Sequence, residues 1–172
     1  MSSTNLVTRI STALDATVDR VGKAVSWIYA ILIVVIILQV VLRYGFSNGL
    51  VVLEELQWHC YAIGLMFGLA YGSTHNAHIR VDVLHMMFNP RVKNVIEILG
   101  IIFLLMPFIY VVFYHSIDFV SESYRINEHS NAPSGLPFRW AIKAVIPVSF
   151  ALLLLSAIAR LLRETSQLFS RA

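Results

Sequence analysis

Four apolar stretches, each 19 residues long, decide what this chain can become. They run over residues 24–42, 56–74, 95–113 and 144–162, and Gln39 is the only strongly polar member of the first. As an α-helix, 19 residues rise about 28 Å, which matches the hydrocarbon core of a bilayer. Backbone groups in lipid must be bonded within the segment, so these stretches predict helices. The period-two alternation of a membrane barrel is absent. Composition agrees: 58% of the 172 residues are apolar and only 13% are charged, against about 25% charged in a soluble domain. Such a chain cannot cover a soluble surface with charge, and its hydrophobicity excludes disorder. One cysteine, Cys60, excludes an internal disulfide and a cysteine-rich metal site. A net charge of +3 with no Lys/Arg run offers nothing to nucleic acid, so the expected surroundings are a lipid bilayer.

The predicted fold class is an all-α integral membrane protein forming a single membrane domain over residues 1–172. It has four transmembrane helices, an N-terminal amphipathic interfacial helix and a short cytoplasmic interfacial helix between spans two and three. Residues 5–23 carry Leu6, Ile10, Leu14 and Val21 near helical spacing, with charges between them. They read as a helix lying at the interface, the alternative being a frayed tail. The first apolar run is too long and too late for a cleavable signal peptide. Nine Lys/Arg residues fall at the termini and between spans two and three, while four (Arg43, Arg125, Arg139, Lys143) fall on the other side. This asymmetry predicts that both termini face the cytoplasm. Between spans two and three, Val81, Leu84 and Phe88 form an apolar stripe, and Asn89-Pro90 reads as an N-cap and first turn. The connection from Asp118 to Trp140 holds Pro133, Gly135 and Pro137 and reads as loop. Trp140 reads as an interfacial anchor. Pro107 and Pro147 lie inside spans three and four, and a purely structural role is expected for both.

No Walker loop, GxSxG, HExxH or CxxC is present, and neither catalytic, substrate-binding nor metal-ligating residues are predicted. Three constellations remain. Gln39, Arg43, Glu54, Glu55, His59, His115 and Asp118 lie toward one end of the helices. Charges at that depth are costly unless paired. They fit interfacial residues that reach water, a docking or structural pairing surface, or an ion path. Arg43 is expected to pair with Glu54 or Glu55 across the first hairpin. His59 and His115 sit at similar depth, so a haem b-bearing membrane anchor of a respiratory enzyme is the alternative function. On the second span, Gly64, Gly68 and Gly72 follow Cys60 at steps of four, a small-residue groove for close helix packing. Gly68, at its centre, is expected to be the least tolerant position. A packing partner within this chain is slightly favoured over a partner protein.

Taken together, the residues resemble a specific family. The pattern is an interfacial helix, Gln39…Arg43-Tyr44 closing span one, Glu54-Glu55 opening a glycine-rich span two, and His78-Ile79-Arg80-Val81-Asp82 after it. Gly135-Leu136-Pro137…Trp140…Pro147 leads into span four. This is similar to the small membrane subunit of tripartite ATP-independent periplasmic (TRAP) transporters, the DctQ-type family, over nearly the whole chain. The resemblance implies a scaffold subunit in the bacterial inner membrane and no enzymatic activity. It implies pairing, one to one, with a large permease subunit that binds sodium and substrate. A periplasmic substrate-binding protein docks on the outer face, and import of an organic acid is driven by an ion gradient. No cofactor is expected on this chain. Gln39, Arg43, Glu54, Glu55, His59, Gly64, Gly68, Gly72, His78, Arg80, Asp82 and Trp140 become candidate interface or structural residues. His78 and Asp82 are expected to fix the short interfacial helix and its subunit contact without proton chemistry. A third possibility is a membrane assembly factor.

Overall fold

The computed structural model describes residues 2–75 and 89–170. His78, Arg80, Asp82 and the short helix expected around Val81, Leu84 and Phe88 lie outside them. Among the described residues every regular element is helical. The elements are α1 (Ser2–Ser26), α2 (Ile28–Gly45), α3 (Val51–Thr74), α4 (Pro90–Gly100), a π-helical turn (Ile101–Leu105), α5 (Met106–Arg125), α6 (Arg139–Lys143) and α7 (Val145–Ser170).

Among the described residues three helical stretches are long and apolar enough to cross a membrane: Leu6–Gly45, Arg91–Arg125 and Arg139–Leu168. The fourth expected span, residues 56–74, lies in α3. That helix has 24 residues, about 36 Å, but Gln57, His59 and its glycines dilute its apolar character. α1 and α2 run on through Trp27, whose backbone stays right-handed (φ −62°, ψ −17°). The resulting 40-residue helix is about 60 Å long, twice the hydrocarbon thickness. Its N-terminal half therefore needs protein or headgroups around it. Ser11 and Val18 of α1 are buried, and α1 packs along α7 and α3.

The prolines sit where their missing N–H is tolerated. Pro107 follows the π-helical turn Ile101–Leu105. The widened turn absorbs the clash that a proline ring makes with the carbonyl four residues back. Pro147 lies inside the fourth expected span, in the first turn of α7, where the N–H has no helical partner anyway. Asn89 precedes α4 as expected. Its backbone carbonyl accepts the Lys93 N–H at 3.1 Å, but its side chain makes no cap bond. The expected loop 118–140 shrinks to 126–138, because α5 continues to Arg125. There Arg125 Nε donates to Glu122 Oε2 at 2.9 Å across one turn.

α7 is the hub. α1, α3, α4, α5 and α6 all pack on it. Ser149, Ser156, Ala157 and Ala159 are at most 1% exposed, so backbones approach closely where side chains are small. Phe150, Leu153 and Ala157 join Val18, Ala70, Ile101 and Ile109 in one core. At the far end two ion pairs tie α7 to its neighbours: Arg163 Nη1 to Asp15 Oδ2 at 2.7 Å, and Arg160 to Glu97. α2, by contrast, buries only Val35 and exposes Ile31, Val34, Ile37, Leu38 and Val41.

The small-residue stripe of α3 divides. Gly64 is buried against α2: a Cβ there would meet the Tyr29 ring, with the Tyr29 hydroxyl at 2.7 Å. Gly72 is half-buried. Gly68 is exposed, and a Cβ there would touch nothing within 4 Å. Steps of four rotate about 40° each around a 3.6-residue helix, so two steps carry Gly68 off the meridian of buried Cys60. The other buried residues, Ala70 and Ser73, lie round the helix from Cys60 in the opposite direction. Sequence spacing also missed Gly22 of α1, which lies under the Tyr71 ring. Gly64→Leu is therefore expected to lower the melting temperature of the purified chain in detergent by several degrees through overpacking. Gly68→Leu should leave it within about a degree of the parent, since a surface change costs within about 0.5 kcal/mol. Equal losses would contradict this division.

Candidate functional site

At one end of the bundle the α2–α3 turn, residues 126–138 and α6 come together. Each is placed by local chemistry. α2 ends with Ser47 in the left-handed region (φ 52°), which turns the chain toward α3. Gln39 Oε1 then accepts the Leu50 N–H at 3.3 Å, bridging the turn. α5 ends in a Schellman cap. Asn127 takes the left-handed conformation (φ 47°), its N–H donates to Tyr124 O at 3.1 Å, and the Glu128 N–H donates to Ser123 O at 3.0 Å. The loop between is then folded back and tied down.

Glu55 does the tying. Its Oε1 accepts the Ser130 hydroxyl and its Oε2 accepts the Leu136 N–H at 2.6 Å. Within the loop, Ser130 N–H donates to Leu136 O at 3.3 Å and Gly135 N–H to Ala132 O at 3.0 Å. Gly135 is required by space: a Cβ would collide with Ser130 and lie 2.8 Å from Glu55 Oε1. The two donors favour the charged carboxylate and hold Glu55 below its ordinary pKa, Ser130 contributing most.

A second carboxylate fixes the other limb. Glu128 pairs with Lys143 and lies 4.0 Å from Arg139 Nε, and the Lys143 bond holds its carboxyl below the usual range. Lys143 also sits 3.9 Å over the Phe119 ring, a cation–π contact onto α5. Phe138 is held left-handed (φ 60°, ψ 48°), a strained conformation for a bulky residue. It lies between the Ser130–Leu136 pairing and the Arg139 N–H, which donates to Glu128 O at 3.1 Å. The loop is thus rigid, with Asn131, Pro133, Ser134 and Phe138 facing outward.

Not every expected site residue joins this cluster. Arg43 makes no ion pair with Glu54 or Glu55 among the described residues, and Glu55 is bonded into the loop instead. Arg43 and Glu54 are exposed. The Arg43 stem lies beside Gly49, its Cγ 3.8 Å from where a Cβ would stand. His59 lines a groove of about 450 Å³ with Glu55, Trp58, Tyr61, Ala62, Arg139 and Ile142. His115 is not among these residues. It is exposed on α5 and packs edge-on against Tyr114, so the two histidines do not share a pocket that would hold a haem. Trp140 packs edge-on against Tyr124, centroids 5.4 Å apart. Among the described residues no group of three His, Cys, Asp or Glu could hold a metal ion. The residues that spacing missed are Ser130, Leu136 and Glu128. Gly135 between two prolines was the available signal that this loop is close-packed.

Two outcomes follow for this loop. Gly135→Val is expected to speed protease cleavage within 130–136 by about tenfold, through loss of bonds to a charged group, with helix content unchanged. Both depressed carboxylates stabilise the fold above their ordinary pKa range, and that contribution fades as pH falls through the depressed values. The wild-type loop should therefore stay resistant at pH 5 (a value chosen just above the carboxylate range of about 4) and loosen below it. Glu128→Gln should flatten that acid limb. An unchanged acid limb, or Gly135→Val cleaved at the wild-type rate, would contradict the clamp.

No curated protein and no solved structure matches the chain. One family model does, that of the tripartite ATP-independent periplasmic transporters, DctQ component, over residues 32–167. The match runs from mid-α2 through nearly all of α7 and takes in the Glu55 clamp. Most of the chain is covered, and the chain belongs to the DctQ family, the component of TRAP transporters that this description names.

Proposed function

We propose that the chain is the small scaffold subunit of an ion-gradient-driven TRAP transporter that imports an organic acid across the bacterial inner membrane. The family match over residues 32–167 carries this reading. The geometry supports it. Among the described residues α1, α3, α4, α5 and α6 pack on α7 and enclose no buried acidic pair or broken-helix repeat of the kind that builds a carrier's own ion site. α2 offers one long aliphatic face to lipid or to a partner. In this reading α3 is the fourth span, α1 runs along the cytoplasmic interface, and both termini are cytoplasmic. The Glu55-clamped loop then faces the periplasm and presents Asn131, Pro133, Ser134 and Phe138 to the substrate-binding protein. Sodium and substrate bind to the large permease subunit, with which this chain pairs one to one. It transfers no chemical group itself.

A tagged chain co-expressed with the large subunit should retain it at equal stoichiometry. Proteoliposomes should take up the acid only with both subunits, the binding protein and a sodium gradient. Uptake by the large subunit alone at the full rate would remove the scaffold role. In a Cys60→Ala background, Ser134→Cys should react with an impermeant thiol reagent in intact cells and Thr12→Cys should not. The reverse pattern would invert the topology.

A further inference from the structure

The groove beside the clamp has two chemically different ends. Arg139 and His59 stand at one; Tyr61, Ala62 and Ile142 line the other. The charge of Arg139 is only loosely engaged within the protein. Its Nε is 4.0 Å from Glu128, at the limit of an ion pair, and Glu128 is held more closely by Lys143. The carboxylate in the wall, Glu55, is turned away into the loop, with both oxygens accepting bonds there. An anion approaching Arg139 therefore meets a cation beside the His59 ring, with Glu55 in the same wall but both its oxygens bonded into the loop. Trp58 is 67% exposed and packs edge-on against Tyr61 at 6.5 Å. The two rings form a ridge that separates this groove from a smaller one of about 180 Å³ against Leu32 and Ile36. Aromatic rings in such positions mark the headgroup level of a bilayer, and Arg139 opens the apolar stretch Arg139–Leu168.

We propose that this groove binds one membrane glycerophospholipid. Its phosphodiester meets Arg139 and His59, and the first part of an acyl chain lies along Tyr61, Ala62 and Ile142. The guanidinium presents paired donors to a phosphate. The apolar end would leave a wholly water-soluble anion unsatisfied, whereas a lipid matches both ends at the depth where both occur.

Brominated acyl chains quench nearby tryptophan, and Trp58 lines the groove. The full chain carrying Trp27→Phe and Trp140→Phe retains Trp58 alone. It is reconstituted in phosphatidylcholine with brominated phosphatidylglycerol as a minor component. Trp58 quenching should exceed that set by the bulk mole fraction by about fivefold, the scale of a lost charge-assisted bond. Arg139→Gln should return it to the bulk value. Ala62→Phe, which fills the apolar end and leaves Arg139 and the loop intact, should do the same, and Arg43→Gln should change nothing. Bulk-level quenching in the parent would overturn the proposal. So would quenching in the isolated chain that vanishes once the large subunit is bound, since the groove would then be a subunit contact. The quenching measured on the isolated chain and its variants needs no partner protein, so that part of the test stands or falls apart from the transporter assignment.

Discussion

One carboxylate organises one end of this protein. Glu55 accepts a hydroxyl from Ser130 and an amide from Leu136, which lie 75 and 81 residues further along the chain. Without it, residues 126–138 would be tied to α6 through Glu128 and Lys143 but not to α3. With it, the loop becomes a fixed surface against α3. The arrangement works because an ionised carboxylate offers two strong acceptors to groups that the loop's own backbone leaves unpaired. Gly135 then allows the close approach.

The rest of the molecule rests on α7. In lipid, apolar burial gives little drive to helix association, so close packing and polar ties decide which helices meet. α7 supplies both. Its serines and alanines let α1, α3, α4 and α5 approach, and Arg160 and Arg163 reach Glu97 and Asp15 near its far end. Arg160 is only 7% exposed; a guanidinium so buried is tolerated because its partner carboxylate comes from the neighbouring helix.

Hydrophobic run length made the helices legible in the sequence, because lipid leaves a backbone no alternative. The ends were not. α5 outlasts its apolar stretch because polar residues such as Glu122 and Arg125 support a helix once it leaves the hydrocarbon. Gly68 misled for a geometric reason: constant steps of four drift around a helix of 3.6 residues per turn, so equal spacing does not mean one contact face. The packing role of α7 was open to reading in Ser149, Phe150, Leu153, Ser156 and Ala157, which recur at three and four. Its small residues drew less notice than glycines. Glu55 stood out at the helix end, but Arg43 looked the natural partner because it is near in sequence. The actual donors are neutral and distant, and neutral donors leave no charge pattern to find.

The account turns on whether Glu55 fixes the loop, and amide exchange at Leu136 reads that bond directly. In the wild-type chain the Leu136 N–H, bonded to a charged oxygen, should exchange slowly. Glu55→Gln keeps the shape but removes the charge and one acceptor, so Leu136 should exchange at least about tenfold faster, with protection in α7 unchanged. Equal Leu136 rates in the two proteins would contradict the clamp and, with it, the fixed loop.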